Sequence, residues 1–283
     1  MEQVSESTAE HKLAEFGALS DTSVPLMETA LYLALANHPG RSIGAYNNHI
    51  VKMAYQVEAR YSELVSAGAD DDVETRIAAI KHILCDQHGY NGDTDSYNDL
   101  RNADLMDVID RRKGMPIALA IVAIELARRQ KWDCHGLNFP GHFLVRMDKG
   151  SKRVICDPFG QFRIMQAHDL RELLKSVAGK EAELSSTLYQ EASNRDILLR
   201  LQNNIKFRQI EREDYAQALK TVGLMKAFSP KEHRLLLDES VLKARLNDVK
   251  GAIIAVKAYL EAMLDPKDRY EAELLLRTLE TTE

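Results

Sequence analysis

Cysteine is scarce in this chain: Cys85, Cys134 and Cys156 are the only three, at spacings of 49 and 22. An odd number so placed builds neither a disulfide framework nor a Cys-x-x-Cys zinc site, and fits a reducing compartment. Aromatics are sparse at 6%, and 14 glycines with 7 prolines in 283 residues exclude fibrous and low-complexity classes. No apolar run reaches the ~20 residues of a bilayer span; Glu28 interrupts the stretch Val24–Ala36. A basic excess is also missing, since 37 Lys and Arg stand against 43 Asp and Glu for a net charge of -6, which disfavours nucleic acid as a partner. Gly-rich phosphate loops, HExxH and GxSxG are absent, so the residues call for no metal and no cofactor. What is present is 45% hydrophobic residues, ample for a folded core. The expectation is a cytoplasmic protein of one large or two ordinary domains, its oligomeric state not encoded in the pattern.

Residues 1–12 are polar and predict a flexible terminus. Pro25–Ala36 predicts a short helix, and Tyr46, Ile50, Met53, Val57, Tyr61 and Leu64 form the apolar stripe of a longer one. A third helix starts after Asp70-Asp71-Asp72 and runs to His88. Residues 89–102, dense in Gly, Asn and Asp, predict a long ordered loop, followed by a short helix over 103–112. Pro116 opens a helix apolar on nearly every side, which belongs inside the domain. Three strands with period two follow, at 134–139, 142–147 and 153–157, so the front of the chain, 1–190, reads as a helix-rich α+β domain with a small antiparallel sheet.

Residues 191–283 read as all-α. Asp214, Ala218 and Leu219 recur 34 residues on as Asp248, Ala252 and Ile253, and Pro230 and Pro266 follow in turn. That is the period of the tetratricopeptide helix pair, and a plain helical bundle accounts for the same residues. Charges from Asp196 onward balance at 15 of each sign, so the acidic excess lies in the front domain.

With Lys149-Gly150 as the hairpin turn, opposed residues sum to 299 and His142 faces Asp157. Directly opposed Cβ atoms lie ~4.5 to 5.5 Å apart, within reach of a carboxylate that fixes an imidazole tautomer. Alternation puts Phe143, Val145, Met147, Val154 and Cys156 on a core face, and His142, Leu144, Arg146, Arg153, Ile155 and Asp157 on a wetter one. A satisfied cross-strand pair and a functional dyad are both compatible with this register. His82, Cys85 and Asp86 share one helix face, but a metal site there would need ligands from a second element.

The runs YNDLRNADLMDVIDRRKGMPIALAIVAIELARRQ, FPGHFLVRMD and VICDPFG, spanning about Lys81 to Gly160, resemble the bacterial SirB-type transglutaminase-like family. The resemblance implies a papain-like α+β domain followed by tetratricopeptide-type helices. In the wider superfamily a cysteine at the start of the central helix attacks an acyl group, a strand histidine acts as base, and an aspartate on the next strand orients it. His142 and Asp157 match the last two. At the nucleophile position this chain has Pro116 or, sliding by two, Ala118, and neither can attack. The expectation is a pseudoenzyme with a vestigial His142–Asp157 dyad, whose cleft survives as a groove for a protein or peptide partner. Polar groups expected around it are Asn98, Asp99, Arg101, Asn102, Arg111 and Arg112, with Pro116 also counted in the groove. The alternative is acyl transfer or amide hydrolysis in which His142 activates water or an unidentified nucleophile. A third reading is a structural subunit with a vestigial groove.

Overall fold

The computed structural model describes residues 6–263 and 265–281. In chain order, α1 is Glu6–Gly17, α2 Leu26–Leu35, α3 Ile43–Ser66 and α4 Val73–Lys81, which runs on as a π-helical stretch His82–Gln87. The two-residue strand β1, Asn91–Gly92, precedes α5, Leu105–Arg111, and β2, Lys113–Gly114. Next come α6, Pro116–Arg129, β3, Asp133–Leu137, β4, Leu144–Lys149, β5, Lys152–Asp157, β6, Arg163–Met165, and α7, Ala167–Ala178. The remainder is α8, Asn194–Glu211, α9, Tyr215–Phe228, α10, Arg234–Arg245, α11, Val249–Ala262, and α12, Pro266–Glu280.

The chain divides into two compact units, one holding Ser20–Leu201 and the described part of the first nine residues, the other Glu10–Leu19 and Gln202–Glu283. The division falls inside α8, later than the expected boundary at 190. Residues 191–201 remain with the front unit because Glu191 bridges Leu137, Asn194 accepts from Arg128, and Ile197 and Leu198 are fully buried. Of the terminus expected to be flexible, residues 1–5 lie outside the described residues, and the rest begins α1, whose Ala9 and Leu13 are buried at helical spacing. Gly17 has no room for a Cβ against the Ala227 carbonyl, which ties residues 10–19 to the second unit.

The front unit is built on α6. Pro116 occupies its first turn, where a missing N–H costs nothing, and Ile117 to Ile124 are all buried, as a helix apolar on every side requires. Beside it lies an antiparallel sheet of order β3-β4-β5-β6. The fold class is therefore α+β with a small antiparallel sheet, followed by an all-α region.

The hairpin register differs from the expected one. Lys149 pairs with Lys152 and Val145 with Cys156, so opposed residues sum to 301 and the turn is Gly150-Ser151. Gly150, at φ +59, takes the left-handed conformation at the first turn position, where glycine lets the backbone follow the strand twist; one residue earlier that position would fall on Lys149. The shift of two preserves which residues share a face, so Cys156 still lies on the Val145 side. The other face is not wet: Leu144 is fully buried and joins Leu137, Phe139, Met165, Leu170 and Leu174 in a cluster that Tyr189 and Leu188 help cover. The 89–102 loop, too, is more ordered than a plain loop, since β1 pairs in parallel with β2.

In the second unit, Asp214 and Asp248 occupy the same structural position. Each caps its helix by accepting the N–H three residues on, from Gln217 and Gly251, with φ/ψ of -84/65 and -87/69. Glu213 and Asn247, immediately before them, share a positive φ of 58 and 63. Ala218 and Ala252 are fully buried, where a larger side chain would push the packed helices apart.

Candidate functional site

His142 and Asp157 meet. His142 Nε2 lies 2.8 Å from Asp157 Oδ1, and both side chains are about one-seventh exposed, at 15% and 14%. In the observed register Asp157 pairs across β5–β6 with Arg163 and His142 lies two residues before β4, so the dyad does not arise from direct opposition. It arises from two loops. The 138–142 segment turns back, with Gly141 at φ +66, and delivers the imidazole beyond the strand end. Asp157 closes β5, and its Oδ1 also accepts the Phe159 N–H at 3.0 Å. Gly160 approaches so closely that an added Cβ would lie 2.9 Å from Asp157 Oδ2. Burial pushes the Asp157 carboxyl up, but the hydrogen bond and charge of His142, with the Phe159 and Gly160 N–H groups, outweigh it and hold the carboxyl below the usual range.

A residue that no sequence pattern marks holds this loop. Arg200 on α8 donates to His142 O at 2.8 Å, to Phe139 O at 3.2 Å and to Asn138 Oδ1, and its guanidinium lies 5.4 Å from the Phe143 ring centroid. Its separation of 58 residues from His142 leaves no sequence signal. Phe159 stands edge-on to His142 at 6.3 Å and to Tyr97 at 5.7 Å. Gly92 leaves room for Phe159, since a Cβ there would meet the ring at 2.6 Å. Tyr97 is 42% exposed, so the dyad is flanked by an aromatic pair that reaches solvent.

The expected groove residues do not gather around the dyad as one set. Asn102 is fully buried, and Arg111 donates to its Oδ1 at 3.0 Å and to Asp93 Oδ2 at 2.8 Å. Asn102 Nδ2 in turn donates to the Ser96 carbonyl, so these two residues brace the loop. Burial pushes the Asp93 carboxyl up, and Ser96, Arg111 and Asn102 together overcome this and hold it at about 2. Asp99 and Arg101 pair with each other at 2.6 Å near the surface, and Asn98 is exposed. Arg112 turns to another cleft, against His49 and Tyr90. Spacing along a loop says that these residues are neighbours, and only the paths of the backbone and long side chains say which face each serves.

Pro116 is the first residue of α6, and Ala118, two residues on in the same first turn, is fully buried. None of the three thiols hydrogen-bonds to His142 among the described residues. Cys156 and Cys134 lie buried in the sheet. Burial pushes the Cys134 thiol up to about 12, raises that of Cys156 as well, and pushes that of Cys85 up to about 11. His82 and Asp86 approach to 3.5 Å in the π-helical stretch, and among the described residues Cys85 does not complete a three-ligand group with them.

The sequence pattern of the transglutaminase-like superfamily core matches residues 44–203, which includes the dyad, α6 and Arg200. A UPF0162 protein of Xylella fastidiosa strain Temecula1 is 30% identical over 246 residues, covering 86% of this chain and 85% of its own. A UPF0162 protein of Pseudomonas aeruginosa is 33% identical over 181 residues, 64% of this chain and 63% of its own. The mouse F-box only protein 21 is 28% identical over 178 residues, 59% of this chain but 27% of that longer protein. A superfamily pattern matched over more than half of the chain, and a relative 30% identical across most of both lengths, lead to one assignment: the chain belongs to the transglutaminase-like superfamily and, within it, to the UPF0162 family.

Proposed function

We propose that this protein is a non-catalytic transglutaminase-like protein of SirB type, acting in the bacterial cytosol as an adaptor or regulator that binds a protein or peptide. The observation that carries this reading is Pro116 at the first turn of α6, where the superfamily's chemistry needs a thiol at a helix N-terminus. Without a nucleophile the covalent path is closed, and a triad so depleted retains ~10³- to 10⁴-fold catalysis at most from binding and oxyanion donors. The dyad and the Tyr97–Phe159 pair then serve as one polar and one aromatic wall of a peptide groove. In the second unit, equivalent caps at Asp214 and Asp248 support tetratricopeptide-like helix pairs, which recurrently bind peptides.

The 2.8 Å His142–Asp157 bond favours one second reading, in which the imidazole activates water for amide or acyl-ester hydrolysis. Hydrolysis of activated acyl-ester and amide substrates by the full chain separates the two: slow turnover, unchanged by His142→Ala, is expected. Rapid turnover abolished by that substitution overturns the non-catalytic reading. Selection of a displayed peptide library on the full chain tests the groove itself, with enrichment expected for the natural sequence and lost in Tyr97→Ala. Enrichment that survives both Tyr97→Ala and His142→Ala places recognition elsewhere.

A further inference from the structure

A cleft of about 470 Å³ in the front unit is lined by Arg41, Ser42, Tyr46, His49, Asp110 and Arg112, and contains no residue of the dyad. Arg112 is its unusual member. It follows the last residue of α5 with φ 58 and ψ 21, a left-handed conformation that glycine adopts freely and that costs a side-chain-bearing residue ~1 kcal/mol or more. Its hydrogen bonds all come from one nitrogen: Nη1 donates to His49 Nε2 at 2.9 Å, to the Tyr90 hydroxyl at 2.6 Å and to the Ile109 carbonyl. Among the described residues, Nε and Nη2 have no acceptor, and no carboxylate lies within ion-pair distance of this guanidinium.

The Arg112 guanidinium lies 4.9 Å from the Tyr90 ring centroid, a cation–π contact, but pairs with no carboxylate among the described residues. A guanidinium only donates, so His49 Nε2 is the accepting nitrogen and the neutral ring carries its proton on Nδ1. Burial, then the charges of Arg112, His88 and Lys52, hold the His49 pKa down at about 4, so the ring is a neutral donor at physiological pH. Arg41 spends Nη1 on Asp110 at 2.7 Å and on the Tyr46 hydroxyl at 2.9 Å, which satisfies the cleft's one carboxylate. What remains is a partly buried guanidinium with one edge not hydrogen-bonded among the described residues, next to His49 and a second guanidinium, Arg41, in the lining of one cavity. Two donors on one guanidinium edge match the paired oxygens of a carboxylate or phosphate.

We propose that this cleft is a binding site for a small molecule bearing a phosphate or carboxylate group, with Arg112 as the anchoring residue and Arg41 and His49 as supporting donors. The proposal is independent of the dyad: it stands or falls whether or not the groove beside His142 binds a peptide.

Isothermal titration of the full chain at constant ionic strength, with inorganic phosphate in one arm and citrate in the other, tests it. Saturable binding of at least one anion is expected, and the tighter arm identifies the group the site prefers. Arg112→Gln is expected to weaken that affinity at least about ten-fold, the loss of one charge-assisted pair. Arg101→Gln, which removes a surface arginine elsewhere, is expected to leave it unchanged. Where Arg112→Gln does not fold, Arg112→Gly gives the same reading, because glycine relieves the left-handed backbone. Absence of saturable binding in both arms, or natural affinity retained in the folded Arg112 variant, overturns the proposal.

Discussion

The Asp93–Arg111 pair and the His142–Asp157 pair are built from similar chemistry, each a carboxylate held by a cationic or protonatable side chain at 2.8 Å. They differ in what surrounds them. Asp93 is 1% exposed and is enclosed by Ser96, Asn102 and Arg111, all within one loop and the helix that follows it. Both partners of the dyad are partly exposed, and the dyad is assembled by two loops that an arginine from a distant helix holds in place. A carboxylate enclosed and satisfied by its own loop braces structure, whereas one with an open side can meet a ligand. Residue type alone does not distinguish them.

The comparison breaks most sharply at Arg111. Arg111→Met leaves a buried carboxylate without its cation and is expected to cost about 3 kcal/mol in denaturant unfolding. The pH dependence sharpens it further. Asp93 is depressed from 3.8 to about 2, so its contribution is fully present above about pH 4 and is lost as pH falls toward 2. That contribution is worth about 2 kcal/mol, and Asp93→Asn is expected to abolish this acid-limb component in unfolding curves measured from pH 5 to 2. Acid unfolding of equal slope in Asp93→Asn and the natural protein would contradict the bracing role.

Gly92 touches both systems, being next to Asp93 and under Phe159. Gly92→Ala is expected to cost about 2 kcal/mol through overpacking, and to displace Phe159 from His142, visible as a changed ring-current shift on the imidazole protons. At the dyad, Arg200→Met is expected to cost about 1.5 kcal/mol as loop acceptors lose a charged donor. It is also expected to remove the slowly exchanging His142 Nε2 proton from the NMR spectrum; a retained signal with only a lowered melting temperature would reduce Arg200 to general packing. The smallest effect belongs to Arg101→Gln, which is expected to leave the midpoint of the same unfolding assay unchanged, because the Asp99–Arg101 pair is solvent-screened.

Much of the fold was legible in local pattern. The all-round apolar residues after Pro116 marked an interior helix, alternation marked the sheet and the sharing of its faces, and Asp214 and Asp248 marked two equivalent helix starts. Less legible was anything set by one residue of turn geometry, as at Gly150, or by pairing across the chain, as in β1 with β2. The dyad is the instructive case: its partners were named correctly from a register that the hairpin does not have, because the loops before β4 and after β5 restore the contact that the strands alone would not make.

The order of residues by itself determined that a buried helix would begin at an imino acid rather than a thiol, that a hairpin would lie between His142 and Asp157, and that two of the later helices would start alike 34 residues apart. These are consequences of short-range sterics and periodic burial, which act over a few residues. Only the tertiary structure decided that Arg111 braces the buried Asp93 while Arg112 lines a cleft, and that Arg200 holds the histidine loop. Which way a long side chain turns, and what it finds there, depends on surfaces contributed by segments far away in sequence.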